Sequence, residues 1–219
     1  ADALHLFMKK YLVRFNDWST VDFGKDRYPE IENKVFHARL KESEWKDGAL
    51  ILRYGTPKES YAEYGNAEGY TLAIKPTPQD VRVRLSLKDK RATPFVEAGN
   101  MIFSVPEAKG PYVVEKCGRE IDVETDIVKD ANHILWAMDG YARIGNVKLA
   151  SIDAPLVSFG KNAIIEWNGG GKRKYKPSFV VNLFNNQWGT NFPQWIEGNF
   201  DFEFILSEIG AEANGKEEK

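Results

Sequence analysis

The chain has 219 residues, of which 42% are hydrophobic and 28% are charged, an ordinary composition for a globular protein. Its formal net charge of −2 argues against nucleic acid as a partner, because nucleic-acid-binding domains usually carry a strong basic excess. No apolar run approaches the roughly 18 residues that span a membrane, so no membrane partner is expected. The single cysteine, Cys117, excludes an intrachain disulfide.

The first periodic segment is residues 2–16. Leu4, Phe7, Tyr11 and Phe15 recur every three or four residues, which is the spacing of one apolar helix face. The sequence therefore predicts a leading helix over 2–16. A lone helix of this length is marginal in water, so this helix is expected to pack against the rest of the domain.

From about Asn33 the chain has the pattern of short strands separated by turn residues. The clearest is 81–87, whose strict alternation of apolar and polar residues predicts a half-buried antiparallel strand. The other predicted strands are 35–40, 49–54, 70–75, 100–105, 112–116, 121–125, 133–138, 147–152, 163–167, 178–184 and 200–206. Together they predict an all-β fold, a large antiparallel β-sandwich with one N-terminal helix. We expect one domain over 1–209 and a disordered, charged tail over 210–219.

No motif of a metal site or hydrolytic centre is present. His5, His37 and His133 lack a second ligand at metal-binding spacing, which predicts structural or surface roles. There is no Gly-x-Ser-x-Gly elbow. Asp139, in Met-Asp-Gly-Tyr, is the kind of residue that shapes a turn. We therefore assign no catalytic residue, no metal ligand and no cofactor to this chain.

The segment that follows the predicted strand 178–184 is dense in amides and aromatics. Amides donate and accept hydrogen bonds, as sugar hydroxyls require, and aromatic faces can stack on sugar rings. An equally weighted alternative is a structural loop whose Asn side chains bond their own backbone. The candidate sugar-binding residues are Asn185, Asn186, Trp188, Thr190, Asn191 and Trp195.

The same segment carries a family resemblance. Residues 185–195 read Asn-Asn-Gln-Trp-Gly-Thr-Asn-Phe-Pro-Gln-Trp, followed by Gly198 and a Phe-rich last strand. This resembles the C-terminal signature of glycoside hydrolase family 38 relatives, in particular an uncharacterised bacterial or fungal branch of α-mannosidase-like proteins. Segments 91–98, 132–140 and 151–157 resemble that branch in the same order.

The resemblance implies a galactose-mutarotase-like β-supersandwich that packs on a catalytic barrel of the same gene product. In this family the barrel carries the nucleophile and the zinc, so zinc is implied only for that domain. The chain is thus expected to be a carbohydrate-associated C-terminal domain without catalysis of its own. Two alternatives stay open: an independent carbohydrate-binding module, and a mutarotase-like sugar epimerase, which would need a His and a Glu in one groove.

Overall fold

The computed structural model of the protein describes residues 4–10, 35–93, 97–163, 174–186 and 196–209. Within those ranges strands make up more than half of the residues, and one short helix is present, α1 (Lys58–Ala62). No helix there is long and apolar enough to cross a membrane. The strands are β1 (Leu4–Lys10), β2 (Val35–His37), β3 (Arg39–Lys46), β4 (Ala49–Gly55), β5 (Gly69–Pro76), β6 (Asp80–Lys90), β7 (Glu97–Ser104), β8 (Tyr112–Lys116), β9 (Arg119–Asp122), β10 (Trp136–Ala137), β11 (Tyr141–Ile144), β12 (Val147–Ser151), β13 (Leu156–Phe159), β14 (Ser178–Asn185) and β15 (Gly198–Glu208).

These strands form two sheets. The six-stranded sheet has the order β10-β13-β14-β7-β1-β2, and the nine-stranded sheet has the order β3-β4-β5-β6-β15-β12-β11-β8-β9. Neighbouring strands pair antiparallel. The core lies between the sheets, where the rings of Phe103 in β7 and Phe204 in β15 meet with centroids 5.0 Å apart. The predicted all-β class with a large antiparallel sandwich is confirmed.

Alternation gives the nine-stranded sheet one apolar face and one polar face. Leu85 of β6 lies opposite Phe202 of β15, and both are buried in the core. One residue along each strand, Arg84 lies opposite Glu203, and both are exposed. Because successive side chains point to opposite faces of a sheet, the core pattern also assembles charged residues on the outer face.

Strands β7 and β14 differ, because residues on both of their faces are buried. Such strands do not show the alternation of buried and exposed residues that is typical of a strand with one face in solvent. Close packing here requires a glycine. A Cβ atom placed on Gly99 of β7 would lie only 2.5 Å from the ring of Phe184 in β14.

Two hairpins of the nine-stranded sheet turn on residue pairs with positive φ. Asp47 and Gly48 connect β3 to β4, with φ angles of 51° and 74°. Cys117 and Gly118 connect β8 to β9 with φ angles of 51° and 74°. Positive φ at both positions matches the twist of the flanking strands. Asp139 accepts a hydrogen bond from the backbone N–H of Cys117 at 2.6 Å, so its carboxylate supports this turn.

The predicted leading helix is wrong over 4–10, where the chain forms β1. This strand lies between β7 and β2, and Phe7 pairs with both Asn100 and His37. The residues Leu4, Leu6 and Met8 also alternate at the strand period. Because β1 lies between two strands, its backbone N–H and C=O groups find hydrogen-bond partners on both sides. A short isolated helix, by contrast, is costly to nucleate. Residues 2–3 and 11–16 of the predicted helix lie outside the described ranges.

Other differences are local. The predicted strand 133–138 shortens to β10, because the Asn132 side chain accepts hydrogen bonds from the N–H groups of Ile134 and Leu135 and holds a turn. The predicted strand 121–125 overlaps β9, which begins two residues earlier and ends at Asp122. Strands β11 and β13 were not predicted, and the predicted strand 35–40 covers only the first two residues of β3. Residues 164–167 of another predicted strand and the predicted tail 210–219 lie outside the described residues.

Candidate functional site

A groove of about 640 Å³ runs across the outer face of the nine-stranded sheet. It is bordered by side chains of β4, β5, β6, β15 and β12. Its floor includes Ala49, Ala73 and Ala150, which alternation places on this face among long charged side chains. The groove exists because these three methyl groups leave the space between their taller neighbours open.

The centre of the groove holds an arginine between two carboxylates. Arg84 Nη2 lies 3.2 Å from Asp201 Oδ2, and its Nη1 lies 3.7 Å from Glu203 Oε1. Ser86 donates its hydroxyl to Asp201 Oδ1. The hydrogen bond from Ser86, followed by that from Arg84, lowers the pKa of Asp201 from its ordinary value. Asp201 is therefore a charged acceptor at neutral pH, beside a fixed cationic donor.

Two residues that follow β12, Ile152 and Asp153, form part of the rim of the groove. Asp153 Oδ2 accepts the backbone N–H of Glu203 at 2.9 Å, just beyond the point where β12 stops pairing with β15. Ile152 is 95% exposed, and Ile205 of β15 is also exposed. Both isoleucines line the groove and give it apolar surface beside the charged centre.

One end of the groove is basic. Lys75 of β5 lies directly opposite Arg82 of β6, and both side chains are exposed and line the groove. Arg82 Nε lies 3.4 Å from Asp80 Oδ1.

No group of three or more His, Cys, Asp and Glu side chains in the described ranges could hold a metal ion. His133 is buried, and its Nε2 lies 3.0 Å from the carbonyl oxygen of Val128 and 3.2 Å from that of Lys129. His37 is exposed on β2, in the other sheet. Neither histidine lines the groove.

The structure places the two described members of the predicted sugar-binding set in the six-stranded sheet, at the end of β14. Asn186 is 2% exposed, and its Oδ1 accepts the N–H of Glu97 at 2.6 Å. Asn186 also donates its own N–H to the Glu97 carbonyl at 3.1 Å. Asn185 Nδ2 donates to Asn182 Oδ1 at 2.9 Å. These hydrogen bonds are internal to the domain, and neither residue lines the groove of the nine-stranded sheet.

The remaining four members of that set, Trp188, Thr190, Asn191 and Trp195, lie outside the described residues.

Sequence reasoning missed the groove residues, although a signal for them was present. The alternating segments 81–87 and 200–206 place Arg84, Asp201 and Glu203 at the outward positions of two predicted strands. The alternation of each segment does not show that the two strands are neighbours in the sheet. Arg84 and Asp201 are 117 positions apart in the sequence, so no local pattern connects them.

No family model matches the sequence, and no curated protein matches it. Several solved structures resemble the chain. One is an Escherichia coli K12 protein assigned as an aldose 1-epimerase, with a TM-score of 0.40 and 14% identity over 78% of this chain and 68% of that one. A Synechocystis sp. PCC 6803 protein has a TM-score of 0.43 and 9% identity, covering 78% of this chain and 65% of its own. A galactose mutarotase related enzyme from Lactobacillus acidophilus has a TM-score of 0.41 and 10% identity, covering 80% and 75%.

Proposed function

We propose that this chain is a carbohydrate-binding β-sandwich domain whose sugar site is the groove on the nine-stranded sheet. The observation that carries the proposal is Arg84, held between Asp201 and Glu203 above a floor of alanines. A sugar hydroxyl both donates and accepts hydrogen bonds, and adjacent hydroxyls match a donor fixed beside an acceptor. Ile152 and Ile205 offer apolar surface to the C–H groups of a sugar ring.

The finer proposal is that the domain belongs to an α-mannosidase-like glycoside hydrolase and packs on its catalytic barrel. Its support is the resemblance of segments 185–195 and 91–98 to that family. Under this proposal the barrel, in the same gene product, performs the chemistry with its zinc. This chain then contributes binding surface and no catalytic residue.

A mutarotase-like epimerase is the second candidate. Its support is the set of three carboxylates in the groove, Asp153, Asp201 and Glu203, since sugar-ring opening needs a general base. Neither His37 nor His133 lines the groove, so in this candidate carboxyl groups take both the acid and the base role. Glu203 is the most available of these, since it is exposed and lies 3.7 Å from Arg84. This candidate expects accelerated anomer exchange of a free sugar, measured by NMR, that is lost in Glu203→Gln.

Binding is tested by calorimetric or NMR titration of the intact chain with glucose, mannose and galactose. We expect millimolar dissociation constants, near −4 kcal/mol, for at least one sugar. Arg84→Ala and Asp201→Asn should each weaken that binding by about tenfold, which is about 1.4 kcal/mol and near the lower end of the range for a hydrogen bond to a charged group.

The matched control is Arg53→Ala. Arg53 also forms ion pairs on the nine-stranded sheet, with Glu44 at 2.6 Å and Glu42 at 3.3 Å, but it does not line the groove. Its loss should leave sugar affinity unchanged. Absence of binding to all three sugars, or binding that survives both groove substitutions, would contradict the proposal.

A further inference from the structure

We infer that the groove takes an anionic sugar and that Lys75 and Arg82 bind its carboxylate or phosphate group. This inference rests on the proposed carbohydrate function and names the substrate class for the same site.

The first observation is a like-charge pair built into the sheet. Lys75 and Arg82 lie directly opposite each other on β5 and β6. Like charges at directly opposed positions destabilise a sheet. On the other side of Arg82, its paired residue is Ile205 of β15, which in turn pairs with Ala150 of β12. Neither Ile205 nor Ala150 carries a charge. The row of residues paired across these strands therefore contains two cations and no acidic residue.

The second observation is that other contacts do little to neutralise the pair. Within the described part of the chain, Lys75 forms no ion pair. Arg82 has one contact, from Nε to Asp80 Oδ1 at 3.4 Å, and its side chain is 65% exposed. Asp80 Oδ1 also accepts the Thr77 hydroxyl at 2.8 Å. The terminal amino groups of Arg82 and the ammonium of Lys75 are thus available to a ligand.

The third observation is the separation of charge along the groove. Arg84 is balanced by Asp201 and Glu203, whereas the row of Lys75 and Arg82 has a local excess of positive charge. On β6 the groove lining runs from Arg82 to Arg84, about 7 Å apart at ~3.3 Å per residue. A sugar lying along β6 would place its hydroxyls at the Arg84 centre and an acidic substituent at the basic end.

The chemistry of the two cations suits this role. A guanidinium can bind two oxygens of a carboxylate or phosphate at once, while an ammonium acts as a mobile point charge. Bound anion would remove the repulsion between Lys75 and Arg82. Because both cations are exposed, their attraction for a ligand should fall as salt is added.

The test compares each neutral sugar with its 6-phosphate and its uronate, using the intact chain at low and high salt. We expect at least one anionic form to bind about tenfold or more tightly than its neutral parent at low salt, with a smaller difference at high salt. The double variant Lys75→Gln/Arg82→Gln should lose this preference, so that in the variant the anionic form binds no more tightly than its neutral parent. Arg53→Gln is the control and should keep both.

Each outcome has one interpretation. Preference for the phosphate or for the uronate identifies the source of the anionic group. Equal affinity for neutral and anionic sugars overturns the inference and leaves the carbohydrate function standing. Inorganic phosphate that binds as tightly as the sugar phosphate also overturns it, because the groove then recognises the anion without the sugar. Failure of every sugar to bind contradicts the proposed function itself.

Discussion

Lys90 Nζ lies 2.6 Å from Glu97 Oε1, although both side chains are buried, with at most 1% exposed. Lys90 ends β6 in the nine-stranded sheet, and Glu97 begins β7 in the six-stranded sheet. Lys90 Nζ also donates to the carbonyls of Gly65 at 3.1 Å and Arg91 at 2.8 Å. A buried ion pair therefore fixes the point where the chain crosses between the sheets.

Replacing Lys90 with Met should lower the free energy of unfolding by about 3–5 kcal/mol, because it leaves the Glu97 carboxylate buried without its countercharge. Urea denaturation measures the loss. The control is Lys88→Met, an exposed lysine on the same strand, which should change stability by about 0.5 kcal/mol or less. Adding Glu97→Leu to Lys90→Met should restore much of the loss. A loss near that of the control would show that the pair does not stabilise the crossover.

Asn186→Ala should destabilise the fold by about 1–3 kcal/mol, because it leaves the buried N–H of Glu97 without its side-chain acceptor. Asn199→Ala provides a matched comparison. Asn199 Oδ1 also accepts a strand N–H, that of Asp89 at 2.8 Å, but at an exposed position where water can replace it. The loss of stability in Asn199→Ala should therefore be smaller than that in Asn186→Ala. If sugar affinity falls in Asn186→Ala while stability is unchanged, the scaffold role of Asn186 is wrong.

Glu120 should contribute stability that disappears in acid. Hydrogen bonds from Arg143, and to a smaller extent from Tyr141, lower the pKa of Glu120 from 4.5 to about 2. A folded-state pKa below the unfolded value stabilises the fold above pH 4.5, and this contribution is lost as the pH falls toward 2. Glu120→Gln should cost under about 1 kcal/mol at pH 7, because the Glu120 side chain is 37% exposed and solvent screens the pair.

The measurement for this pair is chemical denaturation of Glu120→Gln and the parent at several pH values. The two stabilities should converge near pH 2. A difference that stays constant from pH 7 to pH 2 would mean that Gln alters packing rather than charge.

Gly99→Ala should destabilise the protein by about 1–3 kcal/mol through overpacking, since its new methyl group would meet the ring of Phe184 at 2.5 Å. Thermal unfolding checks this. Phe184→Leu should be costly alone, yet its cost and that of Gly99→Ala should not add in the double variant, because the smaller side chain makes room for the methyl group. Simple additivity of the two costs would contradict the contact.

The sequence predicts strand faces better than strand neighbours. The alternation in 81–87 and 200–206 correctly places Leu85 and Phe202 in the core and Arg84 on the outer face. The alternation does not reveal that these two strands pair with each other and so bring Arg84 beside Asp201. Every half-buried strand alternates with a period of two, so the pattern fits any partner strand equally well. The helix predicted over 2–16 was wrong over 4–10 for a related reason, since apolar residues in so short a stretch fit either period until the neighbouring strands decide.

The amide-rich segment shows a different limit. Asn residues serve equally well as sugar ligands and as acceptors for backbone N–H groups. Composition alone therefore could not place Asn186 in its buried contact with Glu97. The resemblance to glycoside hydrolases does not decide this either, because it assigns a whole loop and not the direction of each side chain.

The position of β15 has a consequence for synthesis on the ribosome. This last described strand lies between β6 and β12, so the nine-stranded sheet stays in two pieces until residues 198–208 have emerged. Until then β6 and β12 expose open edges, which are sites for aggregation. Asp201 and Glu203 also arrive on this strand, so a nascent chain acquires its groove only when the sheet closes. The groove therefore exists only in chains that have been translated through β15 and have inserted it between β6 and β12.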